Sequence, residues 1–317
     1  MRRIEVFVVI IAFALIVSCT DIRVKDRTTD QPREEIERIK TERLRVKEIH
    51  NLFINQDIPY KAMGSGPISC HFPECSPDGT KIVFVFSGYN EPSSIWIVNS
   101  DGTGFEKISD KGDGSPSWSP DGSQIVFTRP SGEIWIMNAD GTNRRFLTVG
   151  SSPKWSINNK IVFLKREKPK GRYNIWVINR DGTGLIRLTN TPEDEIQPAW
   201  FPDGKKIAFT RLSSKGIWVM NSDGTNQIQL TTKDGQMPSW SPDGKWIVFI
   251  TWSDSYIWVV RSEKPADVIH LTTKARSAWD PSWSPDGKRI IFVAVYELFK
   301  GGGWKAVREG LFIMTSE

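Results

Sequence analysis

The 317-residue sequence is poor in the side chains that usually carry enzyme chemistry. It has three histidines, His50, His71 and His270, and three cysteines, Cys19, Cys70 and Cys75. A metal site of two or three of the histidines would need distant loops to converge, which their placement in the sequence does not suggest. No Gly-x-Ser-x-Gly elbow is present, which excludes a serine-hydrolase domain of the α/β type. Gly204, Gly244 and Gly287 each precede lysine, but no Ser or Thr follows, so there is no Walker phosphate loop. Neither sign of charge dominates: 42 Lys and Arg stand against 37 Asp and Glu, a net +5, and residues 1–50 mix both signs. Without a clustered basic face, nucleic-acid binding is excluded. Asp-rich phrases at 99–102 and 110–114 lack the distal Glu of a calcium loop and read as a hairpin turn and a surface loop. The sequence therefore predicts no catalytic residue, no metal and no cofactor.

The amino terminus is more informative. Arg2 and Arg3 precede an apolar run at 6–17, and Ser18-Cys19 follows. A basic start, a short apolar stretch and a small residue describe an export signal. As a helix the run would span about 18 Å, short of the ~30 Å hydrocarbon core, so it is read as a signal and not a permanent span. Ile16-Val17-Ser18-Cys19 resembles the lipobox of bacterial lipoproteins. That resemblance implies cleavage after Ser18, a lipid on Cys19 and an extracytoplasmic chain held at the envelope membrane. Residues 19–49 are charged, with Ile36, Ile39, Val46 and Ile49 near helical spacing, and read as a partly helical tether. Export permits a Cys70–Cys75 disulfide, but five extended residues hold the pair about 17 Å apart, so a bridge needs a tight reversal near Pro73. A small buried residue at Cys75 is the simpler reading.

From about residue 66 the chain repeats itself. The anchor appears as PECSPDG (73–79), PSWSPDG (116–122), PKWSINN (153–159), PAWFPDG (198–204), PSWSPDG (238–244) and PSWSPDG (281–287). The mean step is about 42 residues, the period of a four-stranded propeller blade. After each anchor come two apolar bursts, such as KIAFT and IWVMN, then a polar turn and a phrase ending in Leu-Thr. Strands apolar on consecutive positions are covered on both faces. Ser-Pro-Asp-Gly and Asp-Gly-Thr place Pro, Asp and Gly where tight hairpins need them. In the third copy, Asn158-Asn159 makes the turn one residue shorter, which Asn tolerates. The reading is an all-β, six-bladed β-propeller of four-stranded antiparallel blades over 50–317. The last copy ends after its third strand, so a segment within 50–66, at 50–54 or 59–63, is expected to supply the missing outer strand.

The phrases PSWSPDG, KIVFT, IWVMNSDGTN and QLTT resemble the WD40-like (PD40) repeats of the TolB propeller family. The resemblance covers about 66–317. It implies a monomeric ring acting as a non-catalytic, protein-binding scaffold for an envelope protein. Similar repeats also occur in polysaccharide lyases that use histidine-bound metal, and in peptidase systems. A glycan-binding or glycan-processing propeller, or an accessory propeller for a separately encoded peptidase, are the alternatives.

A blade meander puts turns 1–2 and 3–4 at one end and loops 2–3 and 4–1 at the other. The second set, at 87–94, 165–174, 190–197, 274–280 and 294–310, varies in length and content, as binding loops do. From it the candidate partner-binding residues are Glu193, Asp194, Glu195, Trp279, Asp280, Lys300 and Trp304. Ten of the 14 tryptophans belong to the repeat and are assigned to the core, leaving Trp246, Trp252, Trp279 and Trp304 for the surface.

Overall fold

The computed structural model describes residues 46–51, 69–88, 92–167, 171–271, 277–300 and 304–316. The chain forms six four-stranded antiparallel sheets. Blade one holds β2 (Ser69–Cys75), β3 (Lys81–Ser87), β4 (Ser94–Asn99) and β5 (Glu106–Lys107), and blade two holds β6 (Gly114–Trp118), β7 (Gln124–Thr128), β8 (Glu133–Asn138) and β9 (Arg145–Val149). Blade three is β10 (Ser151–Trp155), β11 (Lys160–Lys165), β12 (Asn174–Asn179) and β13 (Ile186–Arg187); blade four is β14 (Glu195–Trp200), β15 (Lys206–Arg211), β16 (Ile217–Asn221) and β17 (Ile228–Gln229). Blade five is β18 (Gly235–Trp240), β19 (Trp246–Thr251), β20 (Ile257–Arg261) and β21 (Lys264–His270). Blade six is β22 (Ala278–Trp283), β23 (Arg289–Lys300) and β24 (Trp304–Ser316), with β1 (Val46–Asn51) on its outer edge.

Alternation along the second strands builds the core. Phe84, Phe127, Phe163, Phe209, Phe249 and Phe292 hold the same position in each blade, and all are buried. Each packs into the cluster shared with the preceding blade, while its neighbour (Val83, Val126, Val162, Ala208, Val248 or Ile291) packs into the cluster shared with the following one. The sixth interface returns to the first, because Ile291 and Ile313 share a cluster with Ile82 and Phe84. Successive strand residues point to opposite faces, so a continuous apolar run serves two neighbours at once.

The turns repeat in atomic detail. In blade two the Ser119 hydroxyl donates to Asp121 (2.6 Å), which accepts from the Ser123 amide (3.0 Å). The Gly122 amide closes the turn on the Ser119 carbonyl, with glycine at φ +70°. In blade three Asn159 takes that place at φ +56°. At the other hairpin, the Thr103 amide donates to Asp101 (2.9 Å), and the same bond recurs at Asp140, Asp181 and Asp223.

Three expectations need correction. The strand closing the ring is Val46–Asn51, paired to β24 from Val46↔Ser316 to Asn51↔Phe312, so it overlaps the 50–66 window only at His50 and Asn51. Residues 46–49, assigned to the tether, are strand; Ile49 answers to sheet spacing opposite Met314. The insertion at 294–310 is an extension of the middle hairpin, with pairs from Ala294↔Gly310 out to Lys300↔Trp304, and no simple loop. Residues 1–45, with Cys19 and the signal, lie outside the described residues. Cys70 and Cys75 are not bridged to each other; both are buried in the same cluster, and burial pushes the Cys75 thiol up to about 12.

Two outcomes follow. Phe209→Ala removes a buried ring and is expected to cost about 3–5 kcal/mol in denaturant unfolding. Phe146→Ala, at a half-exposed outer-strand site, is expected to stay within about 0.5 kcal/mol. The second concerns acid. The Ser119 hydroxyl and then the Ser123 amide hold the Asp121 carboxyl down at about 2, against 3.8 unperturbed. Asp78, Asp101, Asp140, Asp181 and Asp223 are lowered by their own turn bonds. A carboxyl with a depressed folded pKa stabilises above its unfolded pKa and loses that contribution as pH falls through the folded value. Thermal midpoints should therefore drop between pH 4 and pH 2, and less steeply in Asp121→Ala.

Candidate functional site

The innermost strands β2, β6, β10, β14, β18 and β22 surround a central channel whose open mouth has a volume of about 270 Å³. Each of these strands contains the same irregularity. The residue before the anchor proline has a left-handed backbone in all six blades: Phe72 (φ +53°), Ser115 (+49°), Ser152 (+50°), Gln197 (+55°), Met237 (+54°) and Asp280 (+52°). The strand register slips at the same place, which marks a β-bulge. A left-handed conformation costs an L-residue about 1–2 kcal/mol, so six in one ring are a constraint retained by the fold. All six line the channel.

Two layers of hydrogen bonds knit this lining. In the upper layer the Asp280 carboxylate accepts from the Phe72 amide (3.0 Å), Gln197 accepts from the Met237 amide (2.9 Å) and the Met237 sulfur accepts from the Asp280 amide (3.3 Å). Each bond joins neighbouring blades. In the layer below, Glu74 accepts from the Ser117 hydroxyl (3.0 Å), the Trp118 amide (2.9 Å) and the Lys154 ammonium (2.6 Å). Glu74 thus ties blade one to blades two and three. The anchor tryptophans add to this, with the Trp118 and Trp200 indoles donating to the carbonyls of Glu74 and Lys154 in the preceding blade.

The loop face carries a second pocket of about 210 Å³ between blades four and five, lined by Arg211, Leu212, Lys215, Asp234 and Trp252 among others. Trp252 is 66% exposed at this site. Cations stack on the third-strand tryptophans of blades two to four, as Arg129 on Trp135 (4.1 Å), Lys165 on Trp176 (5.3 Å) and Arg211 on Trp218 (4.0 Å).

The residues singled out from sequence do not form one surface. Glu193 accepts from the Ser214 hydroxyl and from the Ser214 amide (2.8 Å), and these bonds hold its carboxyl below the usual range. Asp194 pairs with Arg172 (3.1 Å) and accepts from the Tyr173 amide (2.7 Å). Glu195 is not on the loop: it opens β14, is 0% exposed, and is bonded to Thr189, Thr191 and Arg211. Burial raises its carboxyl pKa against the pull of those partners. Trp279 is half-buried and packs into the clusters on both sides of blade six. Asp280 is buried at the channel and not on the approach loop. Trp246 belongs to the core, at 8% exposure. Lys300 and Trp304 are register partners at the end of the β23–β24 ladder.

The histidines are dispersed. His71 lies in the inner strand of blade one, 3.5 Å from Asp280 and bonded to the Ser69 hydroxyl (2.7 Å). His50 lies in β1 on the outer edge of blade six. His270 stacks on Trp258 in the outer strand of blade five, where burial and then Lys233 lower its pKa against the opposing Asp254. Among the described residues, no group of three or more His, Cys, Asp or Glu is placed to hold a metal ion. The channel ring itself was missed from sequence, because the residue before the anchor proline differs from blade to blade.

Glu74→Ala removes the acceptor for three groups and is expected to cost about 2–3 kcal/mol in denaturant unfolding. Asp194→Ala, in a pair with a largely exposed arginine, should cost less than about 1 kcal/mol.

Residues 145–300 match the family model for the TolB β-propeller domain. A TolB homolog of Chlorobium luteolum is 37% identical over 141 residues, 41% of this chain and 31% of that protein. The uncharacterized peptidase YuxL of Bacillus subtilis (strain 168) is 28% identical over 193 residues, 45% of this chain and 29% of that protein. The chain thus spans less than a third of the length of these curated relatives. Among solved structures, an oligogalacturonate lyase in complex with manganese superposes with a TM-score of 0.56 at 14% identity, covering 87% of this chain and 96% of that one. At that identity the likeness is one of fold.

Proposed function

The chain belongs to the TolB-like β-propeller family, and on that premise we propose that it is a protein-binding scaffold of the bacterial envelope. Its partner approaches the variable-loop face and enters the mouth of the central channel. The observation that carries this reading is the ring of six bulged residues. The blades repeat nearly everywhere, but at this position they present Phe, Ser, Ser, Gln, Met and Asp. A ring that keeps a costly backbone and varies its side chains is built for recognition. The TolB homologues give the envelope a further, coarse support. In this reading Cys19 bears the lipid that holds the ring at the membrane.

A second reading is a glycan-processing propeller, favoured by the likeness in fold to the manganese-bound lyase. It is the weaker one, because His71 lies in the inner strand of blade one while His50 and His270 lie in outer strands of two other blades.

In-cell cross-linking of the lipidated protein tests the scaffold. The expected result is one stoichiometric protein partner, lost at least 10-fold in Ser115→Trp, which obstructs the channel mouth without changing the thermal midpoint. Recovery of no partner by the wild type, or equal recovery by the blocked variant, contradicts the reading. Cys19→Ser should release the protein from the membrane fraction; full retention contradicts the lipid anchor.

A further inference from the structure

Asp280 is the one ionisable residue in the ring of six. Its side chain is only 3% exposed. Oxygen Oδ2 is engaged, accepting from the Phe72 amide at 3.0 Å and lying 3.5 Å from His71 Nδ1. Among the described residues, oxygen Oδ1 has no hydrogen-bond partner, and it is shielded from solvent. A buried acceptor left unmatched is costly, and more so on a carboxylate, unless something occupies it.

The layer below shows how this channel satisfies a carboxylate. Glu74 has a hydroxyl, an amide and, at 2.6 Å, the ammonium of Lys154. Among the described residues, Asp280 has an amide and an imidazole but no ammonium or guanidinium. The other side chains of its ring add no cation: Gln197 uses its oxygen on Met237, and Ser115 and Ser152 carry short hydroxyls. Beside it stand Phe72, 38% exposed, and Met237, apolar groups suited to the alkyl stem of a long basic side chain.

We propose that Asp280 anchors a lysine or arginine side chain of the protein partner, received through the channel mouth. This rests on the partner-binding reading above and names its chemistry. A small rotation about the Cβ–Cγ bond presents Oδ1 to the lumen, where an ammonium or guanidinium takes the place that Lys154 holds on Glu74. Charge-assisted bonds of this kind are the strong class, and the enclosed site favours them further.

The full chain is titrated at fixed ionic strength with Nα-acetyl-lysine amide, Nα-acetyl-arginine amide and, as the uncharged control, Nα-acetyl-glutamine amide. Backbone amide resonances of Phe72 and Asp280 report binding. Saturable shifts are expected with the lysine or the arginine probe and not with the glutamine probe. Affinity should fall at least 10-fold in Asp280→Asn, which keeps an oxygen for the Phe72 amide, and stay unchanged in Glu106→Gln on an exposed outer strand. Ser152→Lys, which sets an ammonium in the same ring from blade three, should also abolish binding; it decides the matter if Asp280→Asn fails to fold. Absence of saturable shifts with both cationic probes, or undiminished binding in the folded variants, overturns the proposal and leaves Oδ1 to bound water. Partner capture separates the two readings. Equal capture by wild type and Asp280→Asn refutes the anchor alone, whereas no capture by wild type refutes the scaffold.

Discussion

Every blade is apolar on both faces of its middle strands, and nothing within a blade covers either face. That constraint governs the rest. Phe84 and its five counterparts each lean on the preceding blade, while Val83 and its counterparts lean on the following one. A linear stack of such units would leave two large greasy faces in water. Closure into a ring is the arrangement that leaves none, and it sets the last blade against the first through Ile291, Ile313, Ile82 and Phe84. The pairing of β1 with β24 then covers the edge that the sixth blade would otherwise expose.

The same closure creates the channel. Once six inner strands converge, their bulges fall in one layer, and the pre-proline residues form a ring. The hydrogen bonds across this ring run between blades: Asp280 to Phe72, Met237 to Asp280, Gln197 to Met237. The proposed recognition surface and the inter-blade seam are therefore made of the same residues. A rigid scaffold holds side chains at fixed spacing around an opening, which is what selective binding of an extended partner segment requires.

Much of this was legible in the residues. Six anchors, five of them Pro-x-Trp and the first Pro-Glu-Cys, set the blade number, the Asp-Gly turns set the hairpins, and the six phenylalanines share one place after the anchor. Where the reading failed, a physical reason is visible. Ile49 fits helical spacing with its neighbours, but an unpaired edge on β24 claimed residues 46–51 for the sheet. The 294–310 stretch reads as a variable loop, yet its residues continue the ladder of β23 and β24 out to Lys300 and Trp304. Glu195 reads as part of an acidic loop cluster, but Arg211, Thr189 and Thr191 make its burial tolerable. The bulge ring left no compositional trace, since a position that varies from blade to blade cannot be found by looking for what repeats.

Ring closure by the amino-terminal strand is the claim on which the channel and its mouth depend. Amide hydrogen exchange on the chain with and without residues 46–51 tests it most directly. With β1 removed, the amides of 312–316 should lose protection, and the interface of blades six and one, at Ile82, Phe84, Ile291 and Ile313, should open faster than the interface of blades three and four. Unchanged protection at both places would contradict a ring held shut by this strand.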